Sequence, residues 1–299
     1  MTQTVGIIGL GNAGSSLAIA LARHFTVVGF DADKNRQKEL AEKAMQWASS
    51  MEEVSAKADI VLMSLPHPDI SRTVIDALVE AACKPSLVIE TSTITPKVAC
   101  ELAQVCRNAN IGFVDAAIVG GLKAMANGDT SFLVGAEDRD LALARRVLDP
   151  IAEQIRHLGP VGAGSGAKIV NNAVMHAEMV VLLEAAAMAE KLGISTENLA
   201  DILSQPMGLM RPLEHRIGER VLLNDYENGM SVTNARKDST LALNTAQELG
   251  VPLFAILAAH TPYEIAENSG YGRLDYASLA KLWESWCGIE FSKAPLTVD

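Results

Sequence analysis

The stretch TVGIIGLGNAGSSLA, residues 4–18, constrains this chain more than any other segment. An aliphatic run leads into Gly9, Gly11 and Gly14, and the residues that follow read as a helix. The spacing fits a strand that turns sharply into a helix. Gly9 permits the tight turn, Gly11 lets a ligand approach the backbone, and Gly14 lets helix and strand pack closely. The first amides of such a helix have no partner within it and carry a partial positive charge, so they can hold a pyrophosphate. The loop therefore predicts dinucleotide binding, with Leu10, Asn12 and Ala13 placed beside the glycines as cofactor-binding residues. The alternative is a glycine turn with a purely structural role. A position at the first β-α turn of a chain with several such units favours the ligand.

Those further units are legible. FTVVGFD, DIVLMSL, SLVIETS and IGFVDAA carry the branched aliphatics of buried strands, and stretches such as SSLAIALAR and KNRQKELAEKA between them read as helices. Repeated β-α-β units imply a parallel sheet covered on both faces. DTSFLVGA and QIRHLGP read as later strands of the same sheet. After Gly166 the strand signals largely stop. AKIVNNAVMHAEMVVLLEAAAMAEKLG reads as one helix, about 40 Å long at 1.5 Å per residue, closed by Gly193. STENLADILS, with a serine or threonine cap, and DSTLALNTAQELG, with aspartate at its start, predict further helices. The expectation is an α/β domain over residues 1–163 and an all-α domain for substrate and oligomerisation over 164–299, joined by the long helix.

Composition narrows the function. A net charge of -11 with no run of lysine or arginine argues against nucleic acid or an anionic membrane surface as a partner. His176, Glu178 and Glu184 interrupt the longest apolar run, which argues against a membrane span. The N-terminus enters a strand without a charged leader segment, and Cys83, Cys100, Cys106 and Cys287 lack the spacing of a metal site. The expectation is a cytoplasmic protein with reduced cysteines and no metal.

Other residues gather at the carboxyl ends of the strands, where ligands of open α/β sheets lie. Asp31 closes the second strand. An acidic side chain there accepts hydrogen bonds from a ribose and repels a 2'-phosphate, and no arginine stands at 31–33, so NAD is favoured over NADP. Leu65 and Pro66 close the third strand, and Ser92 and Thr93 the fourth; each could also belong to an ordinary loop. GAGSGAKIVNN then opens the long helix with polar groups that an apolar helix normally excludes. Lys168, Asn172 and His176 are spaced four apart and share one face, with Asn171 beside it. The expectation places that face in a cleft between the domains, where a lysine with a burial-lowered pKa serves as general acid or base and an amide fixes a substrate oxygen. For His176 the competing reading is a satisfied core residue.

With these residues in place, the chain resembles the 3-hydroxyisobutyrate dehydrogenase-related family of β-hydroxyacid dehydrogenases. GLGNAG, SLPHPD, ETSTITP, DAAIVGGLKAMANGDTSFLVGA, GAGSGAKIVNN, LLEAAAMAEKLG, ARKDSTLALNTAQELGVP and GRLDYASL fall in the family's order and spacing, nearly end to end. The resemblance implies a Rossmann-like domain followed by an all-α domain, assembled as a homodimer or homotetramer. It implies that Lys168 is the catalytic acid/base, Asn172 positions substrate, Thr93 and Lys237 contact the cofactor, and Gly120 and Gly121 bind substrate through their backbone.

One segment departs from the family's pattern. Where the family reads DAPVSGG, this chain has DAAIVGG from Asp115 to Gly121, with Ala117 for proline and Val119 for serine. Loss of that hydroxyl suggests a more apolar group on the substrate, or another residue taking over the contact, with His176 as the candidate replacement and Arg211 as an alternative holder of a carboxylate. The implied activity is hydride transfer between NAD and a small β-hydroxyacid or its carbonyl counterpart. Imine reduction is disfavoured because related imine reductases have something other than lysine at the catalytic position. A non-catalytic nucleotide-binding module is disfavoured by the retained Lys168 and Asn172.

Overall fold

The computed structural model describes residues 3–40, 45–205 and 208–292. The chain divides into two units, Met1–Ala173 and Val174–Asp299. The expected border at 163/164 falls at the start of the long helix, ten residues ahead of this division.

In the first unit strands and helices alternate: β1 (Thr4–Ile8), α1 (Asn12–Leu21), β2 (Thr26–Phe30), α2 (Asn35–Leu40), β3 (Gln46–Trp47), α3 (Met51–Lys57), β4 (Ile60–Met63), α4 (Pro68–Glu80), β5 (Leu87–Glu90), α5 (Pro96–Asn108), β6 (Gly112–Val119), α6 (Leu122–Asn127), β7 (Thr130–Gly135), α7 (Asp138–Leu148) and β8 (Ala152–Gly159). The sheet order is β3-β2-β1-β4-β5-β6-β7-β8. Neighbours are parallel except for β6 and β7, which pair antiparallel. The chain reverses its direction across the sheet between β1 and β4, the switch point at which such sheets bind ligands.

The aliphatic runs are continuous because both faces are covered. Along β4, Ile60 and Leu62 join Leu17 and Leu21 of α1 in one cluster. Val61 and Met63 point the other way, toward Val74 and Leu78 of α4 and Leu102 of α5. Each fully buried aliphatic side chain contributes about 1.5–3 kcal/mol. All seven strands expected from the sequence are present, and β3 is an addition. Its Gln46 and Trp47 extend the sheet beside Val28 and Gly29, and two such residues carry no aliphatic signal. The helix expected over KNRQKELAEKA is present as α2; residues 41–44 lie outside the described residues.

The long helix, α8 (Ala163–Lys191), starts four residues ahead of the expected Ala167 and continues into the second unit. That unit is helical: α9 (Thr196–Ser204), a wide turn of π-helix at Pro212–Val221, α10 (Val232–Leu249), α11 (Ala255–Ala266) and α12 (Ala280–Cys287). The Ser195 hydroxyl caps α9 as expected, accepting from the Asn198 amide. The start of α10 corrects the sequence expectation. The helix does not begin at Asp238 but at Val232, because the Ser231 hydroxyl accepts from the Asn234 amide and supplies the cap.

By length and mean hydropathy, 1.3 over its most apolar window, α8 could cross a membrane. Glu184 gives it another place. Its buried carboxylate accepts the backbone amides of Phe254, Ala255 and Ile256 at 2.6, 2.9 and 3.0 Å, so it caps α11 within the second unit.

Candidate active site

A cavity of about 640 Å³ opens at the switch point. Gly9, Gly11, Asn12, Ala13 and Gly14 line it from the glycine loop, Asp31 from the end of β2, and Leu65 and Pro66 from the end of β4. Leu10 does not line it: its side chain is fully buried in the core. The glycines behave as their spacing requires. Gly9 has φ +91° and a Cβ there would strike the Ser64 carbonyl, while a Cβ on Gly14 would strike the Gly9 carbonyl. A Cβ on Gly11 would meet no protein atom. That open space lies beside the start of α1, which has no side-chain cap and no acidic residue in its first turn. An uncapped helix end with room at Gly11 fits a pyrophosphate.

Asp31 is fixed from two sides. One carboxylate oxygen accepts the Leu10 amide at 2.6 Å and the other the Asp33 amide at 2.8 Å. Each oxygen retains a further lone pair, and Asp31 lines the cavity. Arg36, just past residues 31–33, lines the same cavity.

Lys168 and its neighbours stand on the first turns of α8. The N-terminal end of the helix rests against α5, where Pro96 lies 3.4 Å from the position of a Cβ on Gly166. This brings the start of α8 close to the loop after β5. In that loop Ser92 is buried, its hydroxyl accepting the Leu65 amide at 2.7 Å, and Thr93 is exposed at the strand end, outside the lining of the cavity. Lys168 is half-buried, and burial pushes its ammonium below the ordinary lysine value. Asn171 donates to Asn172 through their side-chain amides at 3.4 Å, and both are half-buried.

The DAAIVGG segment, residues 115–121, closes β6 and turns beyond it. Val119 is half-buried and its carbonyl accepts the Thr130 hydroxyl at 3.1 Å. Gly120, at φ +153°, lies where a Cβ would press within 2.6 Å of that hydroxyl, whereas Gly121 faces open space. The backbone is thus open to approach at Gly121, while the Thr130 side chain stands beside Gly120.

The sequence of the first unit, residues 4–159, matches the NAD-binding domain of 6-phosphogluconate dehydrogenase. Residues 162–283 match the NAD-binding domain of NADP-dependent 3-hydroxyisobutyrate dehydrogenase. The chain is 30% identical to 2-(hydroxymethyl)glutarate dehydrogenase of Eubacterium barkeri, over 96% of this chain and 97% of that one. It belongs to the 3-hydroxyisobutyrate dehydrogenase-related family. Rat mitochondrial 3-hydroxyisobutyrate dehydrogenase is 31% identical over 92% of this chain and 85% of its own length. Among solved structures, 3-hydroxyisobutyrate dehydrogenase of Mycobacterium tuberculosis with L-serine is 28% identical with a TM-score of 0.65, covering 94% of this chain and 99% of that one. An imine reductase from Pseudomonas shares the fold at a TM-score of 0.84 and 21% identity, over 94% of this chain and 99% of that one. The chain is accordingly an oxidoreductase with an NAD(P)-binding Rossmann domain followed by a helical domain.

Membership of this dehydrogenase family gives the remaining residues their context. His176, Arg211 and Lys237 belong to the second unit. His176 is exposed on α8 and is not a core residue. Arg211 is exposed at the head of the π-helical turn, and Lys237 pairs with Asp238 at 2.9 Å on α10. No group of three metal-binding side chains occurs among the described residues.

Proposed function

We propose that this chain is an NAD-preferring dehydrogenase that moves a hydride between nicotinamide and a β-hydroxyacid of the 3-hydroxyisobutyrate kind, or its carbonyl counterpart. The observation that carries this reading is Lys168, half-buried and pushed toward neutrality by burial, on the same helix as Asn172. Bound nicotinamide supplies the hydride acceptor in oxidation and the donor in reduction. Neutral Lys168 takes the hydroxyl proton as the alcohol is oxidised and returns it in the reverse direction. Asn172, with Asn171 beside it, holds a substrate oxygen, and the amides at Gly120 and Gly121 hold the carboxylate. Fixing the reacting atoms this way carries much of the rate. Leu65, Pro66, Thr93 and Lys237 serve the cofactor, and Asp31 meets the adenosine ribose, which favours NAD over NADP.

3-Hydroxyisobutyrate, 2-(hydroxymethyl)glutarate and L-serine, named with the relatives, share a hydroxymethyl group on the carbon next to a carboxylate. We extend that substrate class to this chain. Val119, apolar where the family has serine, favours an apolar third substituent on that carbon over a charged one. His176 and Arg211 are the residues in reserve for a polar contact there. A homodimer or homotetramer is the assembly this reading expects, supported by α8, whose Val170, Val174, Met175, Met179 and Leu183 are each more than half exposed. An apolar helix face of that kind favours burial against a partner. A cytoplasmic location accords with four free cysteines; Cys106 is buried, and burial above all pushes its thiol up to about 12.

The test is NADH formation from NAD with 3-hydroxyisobutyrate, serine, glycerate, threonate, 4-hydroxybutyrate and bulkier apolar β-hydroxyacids, for the unmodified protein and for Lys168→Ala. Turnover on one of them that falls at least about a hundredfold in Lys168→Ala, with NADH affinity retained, supports the reading. Undiminished turnover removes Lys168 from the mechanism. Silence across the panel despite NADH binding points instead to an imine substrate or a binding role.

A further inference from the structure

Two acids are buried side by side at the carboxyl edge of the sheet. Glu90 closes β5, Asp115 lies opposite it on β6 as its register partner, and each is 1% exposed. Burial is the largest influence on each, and no cationic side chain stands among the leading ones. A buried acid without a cation needs hydrogen-bond donors or a proton of its own.

Asp115 has donors. Its two oxygens accept the backbone amides of Gly162 at 2.9 Å and Ser165 at 2.6 Å. These lie just before and within the first turn of α8, among the amides that a helix start leaves unpaired. The seat is close. A Cβ on Gly135 would strike the Asp115 carboxylate, and one on Gly164 would strike the Leu133 carbonyl. Asp115 thereby fixes the height and rotation of the turn that, three residues beyond Ser165, carries Lys168.

Glu90 serves the other side. One oxygen accepts the Ser92 amide at 2.8 Å, and the Ser92 hydroxyl accepts the amide of Leu65, which lines the nucleotide cavity. The Thr91 hydroxyl ties the same strand end to the Met63 carbonyl at 2.7 Å. The second Glu90 oxygen makes no hydrogen bond. Burial pushes both carboxyls above the usual range. Interactions with Ser92 and Ser71 at Glu90, and hydrogen bonds from Gly162 and Ser165 to Asp115, oppose that rise.

We propose that this pair divides the positioning of the site: Asp115 sets Lys168 through the start of α8, and Glu90 sets the Leu65 wall of the nucleotide cavity through Ser92. The first half rests on the role given to Lys168 above. Asparagine offers one acceptor oxygen where Asp115 offers two, so Asp115→Asn sets an amide group against one of the two backbone donors. The expected result is turnover lowered at least about tenfold, NADH affinity by fluorescence titration within about twofold, and amide exchange at 162–165 accelerated at least about tenfold. Glu90→Ala should weaken NADH at least about tenfold and leave exchange at 162–165 unchanged. Glu90→Gln, which keeps an acceptor and a donor, should restore affinity to within about threefold.

Wild-type turnover in Asp115→Asn, NADH affinity unchanged in Glu90→Ala, or Glu90→Gln as damaging as Glu90→Ala overturns the proposal. Exchange in the unmodified protein covers the case of a variant that does not fold. The Gly162 and Ser165 amides should exchange as slowly as those of β6, and exchange at the rate of free amides refutes the Asp115 half. If Lys168→Ala keeps full turnover, the catalytic role of Lys168 fails, while exchange still reads the hold of Asp115 on α8.

Discussion

The glycine loop supports a prediction in which two similar substitutions have opposite consequences. Gly11 has φ -62° and ψ -167°, an extended conformation open to any residue, and an added Cβ would meet no protein atom. Gly11→Ala should therefore leave stability within about 0.5 kcal/mol of the unmodified protein. The same methyl group occupies the space through which a pyrophosphate reaches the start of α1. Displacing the phosphate from one charge-assisted amide bond costs about 1.5–3 kcal/mol, or about 10- to 150-fold in NADH affinity. Gly14→Ala has the reverse character, since its Cβ would strike the Gly9 carbonyl and force helix and strand apart. Overpacking of this kind costs about 1–3 kcal/mol of folding stability. Urea unfolding measures the first quantity and NADH fluorescence titration the second. NADH binding by Gly11→Ala at unmodified affinity, or unchanged stability in Gly14→Ala, would refute the reasoning.

Four further outcomes are expected. With Lys168 as the proposed base, oxidation needs it neutral, so turnover should rise with pH through an inflection below the ordinary lysine value, because burial lowers that pKa; a pH-independent rate in that range speaks against the role. Asp31→Ala should weaken NAD about tenfold more than NADP, whereas Arg36→Ala should weaken NADP alone; steady-state kinetics with both cofactors decide, and equal losses sink the ribose assignment. Val119→Ser should shift preference from bulky apolar β-hydroxyacids toward serine and glycerate by about tenfold or more in kcat/KM, and an unchanged ranking removes Val119 from specificity. Sedimentation equilibrium should give a dimer or tetramer that Met179→Glu weakens, and a monomeric unmodified protein would contradict that assembly.

The sequence was informative where local pattern decides structure and silent where distant segments meet. Seven strands were legible because continuous Val, Ile and Leu runs mark strands covered on both faces, while β3 has only Gln46 and Trp47 and is held by its neighbour. The start of α10 was misplaced because Asp238 and Ser231 are both acceptable caps, and the chain uses the earlier one. In the site, the glycines, Asp31, Leu65 and Pro66 were legible from their place at strand ends. Arg36 lies beyond the strand-end residues 31–33, and only the turn of α2 brings it back to the cavity. The pairing of Glu90 with Asp115 depends on strand register, and the capping of α11 by Glu184 spans about 70 residues. Neither leaves a mark on local periodicity.

The uncapped start of α1 also bears on how much of this protein survives in a cell. In the proposed complex its first amides find their partner in the nucleotide, and a ligand that binds the native chain and not the unfolded one couples the folding equilibrium to cofactor supply. At a free cofactor concentration a hundred times the dissociation constant, that coupling adds about 2.7 kcal/mol to the native state. By the same linkage, a fall in nucleotide level would raise the fraction of unfolded chains.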